Sequence, residues 1–326
     1  MKILYLLGRG NQGEVYLCED DDGTLRVIKV SQNQTHESNM LEEKVGGNRN
    51  VRHLLLPQSC FFNKNTNQHV YIFDHKFARP LNWYFYNVEI ENRHIYSDEE
   101  SESFARKQLK MVISLLKAFV ELHSLDILHR DIKPENIIVT PLGECYVIDF
   151  GLSSLRDDLE SLCKNCGTPQ YMPYERFYRQ NDDLIIKYPE SSDIWSAAMA
   201  ILEFLIGSPL YQGEQNMRSL RLFLRNLKDP KFFDENILAP IRCMKYPAHF
   251  KDLFIKIIKM MLAFEPGERR SFEDCIVECS NFFVAIVIQR AWRKYVRRKM
   301  DAQCGKDNHR VCSIPPVEKV PICKLA

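Results

Sequence analysis

The segment His129–Gly151, HRDIKPENIIVTPLGECYVIDFG, holds the residues of this chain best suited to chemistry. A carboxylate on a loop, such as Asp131, can accept a proton from an incoming hydroxyl group. Lys133 can neutralise negative charge on a group that is being transferred. Asn136 and Asp149 offer oxygen atoms, which are the ligands that Mg²⁺ prefers. A polar loop followed by a hairpin turn is the alternative, but it does not account for all four side chains together.

Three glycines lie near the start of the chain, in the segment LGRGNQGEV. Gly8, Gly10 and Gly13 precede Val15 between two strand-like runs, where glycines allow a tight turn and a close approach to phosphate. Taken alone, the same spacing also fits an ordinary hairpin. A dinucleotide-binding fold requires a helix directly after such glycines, and the strand-like run EVYLCED disfavours it.

Lys29 lies inside the apolar run RVIKV, which follows these glycines. A lysine in a strand usually faces solvent. Because this strand follows a glycine-rich hairpin, the ammonium group can instead reach phosphates that the hairpin covers.

Composition limits the class of protein. The chain has 326 residues, 45% of them hydrophobic, as suits a globular core, and its net charge of +1 gives no indication of binding to nucleic acid. Eleven cysteines without a repeating spacing indicate reduced thiols inside a cell. No run reaches the ~20 apolar residues that span a bilayer, and the N-terminal run is too short for a signal peptide. We expect a soluble protein in the cytoplasm, with the nucleus as the alternative.

The secondary structure that must position the candidate catalytic residues changes along the chain from strands to helices. About the first 75 residues consist mainly of short strand-like runs, with one short helix predicted over Met40–Val45. From Ser97, a predicted N-cap, apolar residues recur at helical spacing, and further helices follow in the second half. Residues 301–326 lose this periodicity and are predicted to form a flexible tail.

In order and spacing, the motifs resemble those of eukaryotic-type protein kinases. The matching residues are Gly8, Gly10, Gly13 and Val15, then Val27, Ile28 and Lys29, then His129, Arg130, Asp131, Lys133 and Asn136, and finally Asp149, Phe150 and Gly151. The resemblance covers about residues 1–285. It implies an α+β, bilobal protein kinase fold, with a small antiparallel-sheet N-lobe over about residues 1–75 and a mainly helical C-lobe over about residues 76–285.

The resemblance also implies that ATP binds between the lobes together with Mg²⁺. Asp131 would orient the hydroxyl group of a protein substrate and accept its proton, and Lys133 would stabilise the phosphoryl group in transfer. Asn136 and Asp149 would hold Mg²⁺, while Lys29 would hold the α- and β-phosphates. The residues that would cover the nucleotide are Gly8, Gly10, Gly13 and Val15.

A glutamate that pairs with Lys29 is a further implication of the resemblance. Counting back from the run LLLP favours Glu43, with Glu42 close behind, whereas Glu37 lies too near Lys29 along the chain. If Glu43 forms this pair, the pair reports whether the site is assembled.

Residues from Gly151 to Glu175, in the sequence MPYE, match the activation segment of the family. Gly151 would free the backbone directly after Asp149. Arg269 resembles the arginine that pairs with this glutamate. Asp193, in the sequence DIWS, resembles the start of the buried helix that braces the catalytic loop. Met-Pro-Tyr-Glu in place of the family's Ala-Pro-Glu is a departure that removes no catalytic group.

Lys133 and Thr168 resemble the serine/threonine-specific branch of the family. The alternative is a pseudokinase, which binds partners on the same fold without transferring phosphate. Its usual sign is the loss of Lys29, Asp131 or Asp149, and all three residues are present. We therefore expect a serine/threonine protein kinase.

Four residues near the catalytic loop are assigned structural roles. Cys163 and Cys166 form a C-x-x-C without a matching second pair, so we interpret them as free thiols and not as a metal or redox site. His123 and His129 flank the loop, and neither is proposed as a catalytic base.

Two expectations concern activation and substrate choice. Many kinases have an arginine beside the loop aspartate, as Arg130 is here, and use it to bind a phosphate group on the activation segment. In this chain the position that is usually phosphorylated holds Lys164. We expect activity without phosphorylation there, with Ser161 as the fallback acceptor. Kinases that select basic substrates often have an acidic residue that binds a distant substrate arginine, but the corresponding position here holds Pro80 or a neighbour, none of which is acidic. Glu135 remains to bind a nearer arginine, so we expect at most a mild preference for basic substrates.

The stretch FFVAIVIQRAWRKYVRRKM follows the kinase-like region. Val284, Ile288, Trp292 and Tyr295 recur at helical spacing and share one face. The basic residues are Arg290, Arg293, Lys294, Arg297, Arg298 and Lys299.

Within this stretch, Ile288, Gln289, Arg293 and Arg298 resemble the IQ motif, which binds calmodulin or calmodulin-like proteins. Lys294 stands where that motif often has glycine. We predict an IQ-like helix over residues 286–300 and calmodulin binding over 281–300. A final lobe helix with a solvated basic end, a membrane-surface segment and a nuclear import signal are the alternatives.

Overall fold

The computed structural model describes residues 1–10, 13–31, 51–158, 166–177, 189–211 and 216–304. The helix predicted over Met40–Val45 lies outside these residues. Contacts divide the chain into two units, Met1–Cys275 and Ile276–Ala326. The predicted boundaries of the kinase domain and of the tail stay predictions.

The N-terminal part of the first unit is a five-stranded antiparallel sheet in the order β1-β2-β3-β5-β4. Its strands are Lys2–Gly10 (β1), Gly13–Glu19 (β2), Leu25–Ser31 (β3), Ser59–Asn63 (β4) and Gln68–Asp74 (β5). Val15 pairs with Lys29, which in turn pairs with Tyr71. Residues directly opposite each other share one face of a sheet, so these three side chains lie together. That face is packed, since Tyr71 is 1% and Lys29 8% exposed.

The rest of the first unit is mainly helical. The helices are Trp83–Arg93 (α1), Asp98–Ser124 (α2), Glu190–Ile206 (α3), Met217–Asn226 (α4), Pro230–Phe233 (α5), Ala239–Cys243 (α6), Ala248–Met261 (α7) and Phe272–Cys304 (α8), the last of which continues into the second unit. Short strands complete the unit: Arg79–Pro80 (β6), Ile127–Leu128 (β7), Ile137–Val139 (β8), Cys145–Val147 (β9) and Ser154–Leu155 (β10). The expected α+β fold, with an antiparallel-sheet lobe and a helical lobe, is confirmed.

Helix α2 begins where the sequence predicts. The Ser97 hydroxyl accepts from the Glu100 backbone N–H at 3.2 Å, and the Glu100 carboxylate accepts from the Ser97 N–H at 3.0 Å. This reciprocal pair satisfies two N–H groups that the first turn leaves without helical partners. Leu109, Leu116 and Phe119 lie on its buried face. Helix α1 is not predicted by the sequence pattern, because it buries only Phe85 and Val88 and has no side-chain cap.

Helix α3 is buried along almost its whole length. Trp195 is fully buried, and the helix ends at Gly207, whose φ of 73° suits a residue without a side chain. A Cβ at Gly207 would lie 2.9 Å from the backbone oxygen of Phe85, so this glycine also permits a close contact with α1. Helix α3 therefore forms the central support of the helical lobe.

The predicted pair of Glu175 and Arg269 is present. The two guanidinium nitrogens of Arg269 donate to the two carboxylate oxygens of Glu175 at 2.7 and 2.9 Å. The guanidinium carbon also lies 4.8 Å from the centre of the Trp195 ring. The Arg269 side chain is 0% exposed, so this pair joins the segment after Thr168 to α3 and to the loop after α7.

The second unit is described over residues 276–304, which continue helix α8. Over Phe272–Arg298 this helix is long and apolar enough, by length and composition, to cross a membrane. Core helices of soluble proteins can have the same length and composition. Counting consecutive apolar residues does not single out this stretch, since Glu278 and Asn281 interrupt it.

Replacing Arg269 by alanine should reduce the free energy of unfolding by about 3 to 5 kcal/mol, because the Glu175 carboxylate is left partly buried without its partner. Arg242→Ala is a matched control, since Arg242 makes a similar two-bond contact with Asp234 at an exposed site. Exposed pairs contribute little, so that variant should unfold almost like the wild type. Denaturant titration of both variants measures the difference, and equal losses would contradict this account of the buried pair.

Candidate active site

The loop between β7 and β8 presents the predicted catalytic residues. It ends in a short 3-10 turn, Pro134–Asn136, from which β8 continues directly. Strand β8 pairs with β9, and Asp149 follows two residues after β9. The Ile148 N–H donates to the backbone oxygen of Asn136 at 3.0 Å, so the two ends of the hairpin are joined. Residues that are separated in sequence thus meet on one side of the hairpin.

The carboxylate of Asp193, in the first turn of α3, holds the start of this loop. Its oxygens accept from the backbone N–H of His129 at 2.8 Å and of Arg130 at 3.0 Å. Arg130 has a φ of 69°, a left-handed conformation that costs a residue with a side chain about 1 to 3 kcal/mol. The hydrogen bonds to Asp193, which is 0% exposed, stabilise that conformation just before Asp131.

His123 completes the bonding of Asp193. Its Nε2 lies 3.1 Å from a carboxylate oxygen of Asp193, and its Nδ1 lies 2.8 Å from a carboxylate oxygen of Glu190. Burial alone would lower the pKa of His123, but hydrogen bonds and charges from Asp193 and Glu190 outweigh it and raise the pKa to about 9. The imidazole is therefore a cation at neutral pH and donates from both nitrogens. It has no basic nitrogen left, which agrees with a structural role.

Asp131 lies in a compact set of polar contacts. One carboxylate oxygen accepts from the Thr168 hydroxyl at 2.6 Å, and the other lies 2.9 Å from Nζ of Lys133. Lys133 also donates to the Thr168 hydroxyl at 3.0 Å. The sequence predicts Lys133 beside Asp131, but it does not predict that Thr168 contacts both. A hydroxyl, an ammonium and a carboxylate thus meet at one point of the site.

Asn136 is oriented by the same loop. Its amide nitrogen donates to the backbone oxygen of Asp131 at 2.9 Å and to the Asp131 carboxylate at 3.3 Å. Since the NH₂ group is used in this way, the carbonyl oxygen of the amide remains to act as a ligand for a cation. Asn136 is 5% exposed, and its orientation is fixed by Asp131.

Lys29 and Asp149 form an ion pair between the sheet lobe and the helical lobe. Nζ of Lys29 lies 2.8 Å from a carboxylate oxygen of Asp149. The sequence places both residues at the nucleotide but does not predict this pair. Glu43, the predicted partner of Lys29, and the alternative Glu42 lie outside the described residues, so that assignment stays a prediction.

The backbone takes a left-handed conformation shortly after β9, at Asp149. Asp149 itself has a φ of 63°, whereas Gly151 is not among the residues with positive φ in the described part of the chain. The left-handed conformation is thus at Asp149, and the expectation that Gly151 frees the backbone stays a prediction. The strained residue is the carboxylate that pairs with Lys29, and this pair holds it in place.

The three N-terminal glycines are not equivalent. Gly13 has a φ of 128°, and a Cβ there would lie 2.0 Å from the backbone oxygen of Val30, so the hairpin itself requires glycine. At Gly8 and Gly10 no atom of the described part of the chain lies within 4 Å of such a Cβ. Packing and φ therefore do not explain these two glycines. Open space on a glycine hairpin is suited to a ligand that approaches the backbone closely.

Arg130 and Cys166 lie on the activation-segment side of the loop. The Arg130 guanidinium donates to the Cys166 sulfur at 2.8 Å. Burial raises the pKa of the Cys166 thiol, although nearby arginines oppose this. Cys166 forms no disulfide with a described residue, and the interpretation of Cys163 and Cys166 as two free thiols stays a prediction. Ser161, Cys163 and Lys164 lie outside the described residues, so the expectations for phosphorylation stay predictions.

The remaining predicted residues are located as follows. Val15 lies beside Lys29 on the packed face of the sheet, and Gly151 follows Asp149 and Phe150. Nδ1 of His129 accepts from the Asp131 N–H at 3.3 Å, which agrees with the structural role expected for that ring. In the second unit, Ile288 is exposed and belongs to the continuous helix α8, as do Gln289, Arg293 and Arg298. No group of three or more potential metal-binding His, Cys, Asp or Glu residues occurs in the described ranges.

Comparison with known proteins gives one family and several distant relatives. The family described as "Protein kinase domain" matches residues 1–279. "Mitogen-activated protein kinase 1" of Oryza sativa subsp. japonica is 24% identical over 272 residues, covering 79% of this chain and 61% of the rice protein. "Mitogen-activated protein kinase spm1" of Schizosaccharomyces pombe is 28% identical over 227 residues, covering 64% of this chain and 50% of the yeast protein.

A third relative comes from another group of kinases. "cGMP-dependent protein kinase, isozyme 2 forms cD5/T2" of Drosophila melanogaster is 26% identical over 159 residues, covering 49% of this chain and 15% of the fly protein. The alignments with these three relatives thus span less than two thirds of each relative's length. They agree with the match to the catalytic domain and carry no information on the rest of each relative.

The protonated form of His123 should make the folded state depend on pH. Because the folded-state pKa is raised from 6.5 to about 9, the stabilisation is complete below pH 6.5 and is lost as the pH rises through about 9. Between these limits, the advantage of the wild type over His123→Gln in free energy of unfolding should shrink by about 3 kcal/mol. Urea titration at several pH values measures it. His94→Gln, at an exposed histidine, should track the wild type, and a constant gap for His123→Gln would contradict the assignment.

Proposed function

Since the chain belongs to the protein kinase family, we propose that it is an ATP- and Mg²⁺-dependent serine/threonine protein kinase. It would transfer the γ-phosphoryl group of ATP to hydroxyl groups of protein substrates. The observation that carries the proposal is the contact of Asp131 with both the Thr168 hydroxyl and the Lys133 ammonium. A carboxylate already bonded to one hydroxyl group is positioned to bond to that of a substrate.

The residues at the site fit the nucleotide and the metal. Asn136 has an amide oxygen available and Asp149 has carboxylate oxygens, and both are hard ligands of the kind that Mg²⁺ prefers. The ammonium group of Lys29 is held beside Asp149, where it can bind phosphate oxygens. The open space beside Gly8 and Gly10 leaves room for phosphates to approach the backbone of the hairpin. Bound Mg-ATP supplies the phosphoryl group and neutralises part of its charge.

In this proposal, each of the five site residues has a defined role. Asp131 orients the acceptor hydroxyl and takes its proton, and Lys133 stabilises negative charge beside it. Lys29 binds the α- and β-phosphates, while Asn136 and Asp149 hold Mg²⁺. The remaining contribution is positional, because hydrogen bonds fix all of these side chains before the substrate arrives.

The contact between Thr168 and Lys133 supports the serine/threonine branch. Lys133 donates to Thr168 at 3.0 Å, so the ammonium bridges the catalytic loop and the activation segment beside Asp131. Lys133 and Thr168 are also the two residues by which the sequence resembles that branch. Phosphoamino-acid analysis of a labelled protein substrate tests this specificity, and phosphotyrosine as the main product would contradict it.

Asp131→Asn should abolish phosphate transfer while leaving the dissociation constant of Mg-ATP nearly unchanged, because Asp131 faces the acceptor. Asp149→Asn should instead weaken Mg-ATP binding by at least roughly tenfold, since it removes a metal ligand and the partner of Lys29. Radiolabel transfer and calorimetry measure the two quantities, with Asp252→Asn on the exposed face of α7 as the control. Equal transfer by wild type and Asp131→Asn would contradict the assigned base.

The rival function is that of a pseudokinase. It would be favoured if the pure chain bound Mg-ATP but transferred nothing to a generic basic protein, even with calcium and calmodulin supplied. The presence of Lys29, Asp131 and Asp149 in bonded positions argues against it.

We also propose that residues 281–300 bind calmodulin or a calmodulin-like protein. The specific observation is the exposure of the apolar face of α8: Val284 is 57%, Ile288 62%, Trp292 63% and Tyr295 50% exposed. An exposed apolar stripe beside basic residues is typical of a helix that binds a partner. Arg293 and Arg298, next to this face in sequence, suit the acidic surface of calmodulin. Regulation of phosphate transfer by the bound partner is a further hypothesis.

A peptide covering residues 281–300 should bind calmodulin in titration calorimetry with or without calcium, because its apolar face and its positive charges are complementary to the partner. Replacing both Ile288 and Gln289 by alanine should weaken binding by at least roughly tenfold. The control is made in the 326-residue chain, where Val277→Ala replaces an exposed apolar residue outside the motif. This variant should bind calmodulin with the same affinity as the unmodified chain. No detectable heat with either form of calmodulin would remove the proposal.

A further inference from the structure

A cavity of about 560 Å³ lies beside the contact between Asp131 and Thr168. One side is lined by Cys166, Gly167 and Pro169, the immediate neighbours of Thr168. Consecutive Cα atoms are only ~3.8 Å apart. A substrate whose acceptor hydroxyl lies at Asp131 would therefore bring the residues next to the acceptor close to the segment that lines this cavity.

The cavity combines apolar walls with positive charge. Met172, Phe177 and Met217 contribute apolar surface. Among the described residues, the charged side chains that line the cavity are those of Arg176 and Arg221. The guanidinium carbon of Arg221 lies 5.9 Å from the centre of the Phe177 ring, a distance at which the ring helps to hold the cation in place. Such a cavity favours a side chain that carries a negative charge.

Helix α4 extends this positive charge along the surface. Arg218, Arg221 and Arg225 are exposed and spaced by three and four residues, so they share one face of the helix. Leu220 and Leu224 are buried on its other face. The sequence of α4, MRSLRLFLRN, contains no acid, and none of the three arginines forms a salt bridge with a described residue. The arginines therefore remain to bind a partner of opposite charge.

We propose that Arg221, with the arginines around it, selects protein substrates that carry an acidic residue close to the phosphorylated serine or threonine. The inference rests on the proposed kinase function and names the class of its substrate. It differs from the mild basic preference expected from Glu135. That carboxylate already accepts from the Asn82 side chain at 2.9 Å, so it is less suited to binding a substrate cation.

The inference is tested with synthetic peptides that carry one serine flanked by alanines. Glutamate or arginine replaces a single alanine at each of the four positions on either side of the serine. The ratio of kcat/KM for the glutamate peptide to that for the alanine peptide is measured with wild type, Arg221→Glu and Lys64→Glu. The last variant makes the same change of charge in the exposed turn between β4 and β5. Peptide affinity is also measured by fluorescence anisotropy with Asp131→Asn, alone and combined with Arg221→Glu, which does not require phosphate transfer.

The wild type should prefer glutamate over alanine roughly three- to tenfold at one position near the serine, as expected for a partly exposed charge pair. Arg221→Glu should lose this preference and favour the arginine peptide at that position, while Lys64→Glu keeps it. No glutamate preference at any position in either assay, or an unchanged ratio in Arg221→Glu, would overturn the inference. If no peptide is phosphorylated but the affinities from anisotropy still favour glutamate peptides in an Arg221-dependent way, the acidic preference stands and the proposed kinase function does not.

Discussion

The constraint on which the rest of the site depends is the need to satisfy a buried carboxylate, that of Asp193. A charge with no access to water is stable only when donors surround it. These donors are the backbone N–H groups of His129 and Arg130 and the charged ring of His123. Burial raises the pKa of Asp193, but the His123 hydrogen bond and charge and the backbone donors outweigh this and lower it. The same bonds that stabilise the charge fix the left-handed turn at Arg130 and so the direction of Asp131.

Opposite charges then organise the rest of the site outward from that loop. Asp131 is joined to Lys133 and Thr168 on one side, and Asp149 is joined to Lys29 on the other. Each carboxylate has a cation within 3 Å, so the site is electrostatically preorganised before any ligand binds. A second buried pair, Glu175 and Arg269, fixes the segment after Thr168 to the helical lobe. The proposed chemistry therefore relies on side chains that the fold already holds in place.

Local features of the fold follow from the sequence, whereas pairings over long distances do not. The strands of the sheet and the cap at Ser97 are predicted because apolar periodicity and capping chemistry act over a few residues. The contacts of Lys29 with Asp149 and of Thr168 with Asp131 join residues 120 and 37 positions apart, and no local pattern encodes them. Family resemblance identifies the residues of the site but not these partners. Helix α1 escapes prediction for a different reason, since it buries too few side chains to show a period.

The central claim is that the buried Asp193 carboxylate holds the loop proposed to carry out phosphate transfer, and Asp193→Asn tests it most directly. The amide keeps the size of the side chain but replaces one acceptor oxygen with a donor that faces a backbone N–H. Steady-state kinetics should show kcat reduced on the order of 10²-fold, because the reacting groups are displaced, while circular dichroism and the dissociation constant of Mg-ATP stay close to those of the wild type. A folded variant with the kcat of the wild type would contradict the account.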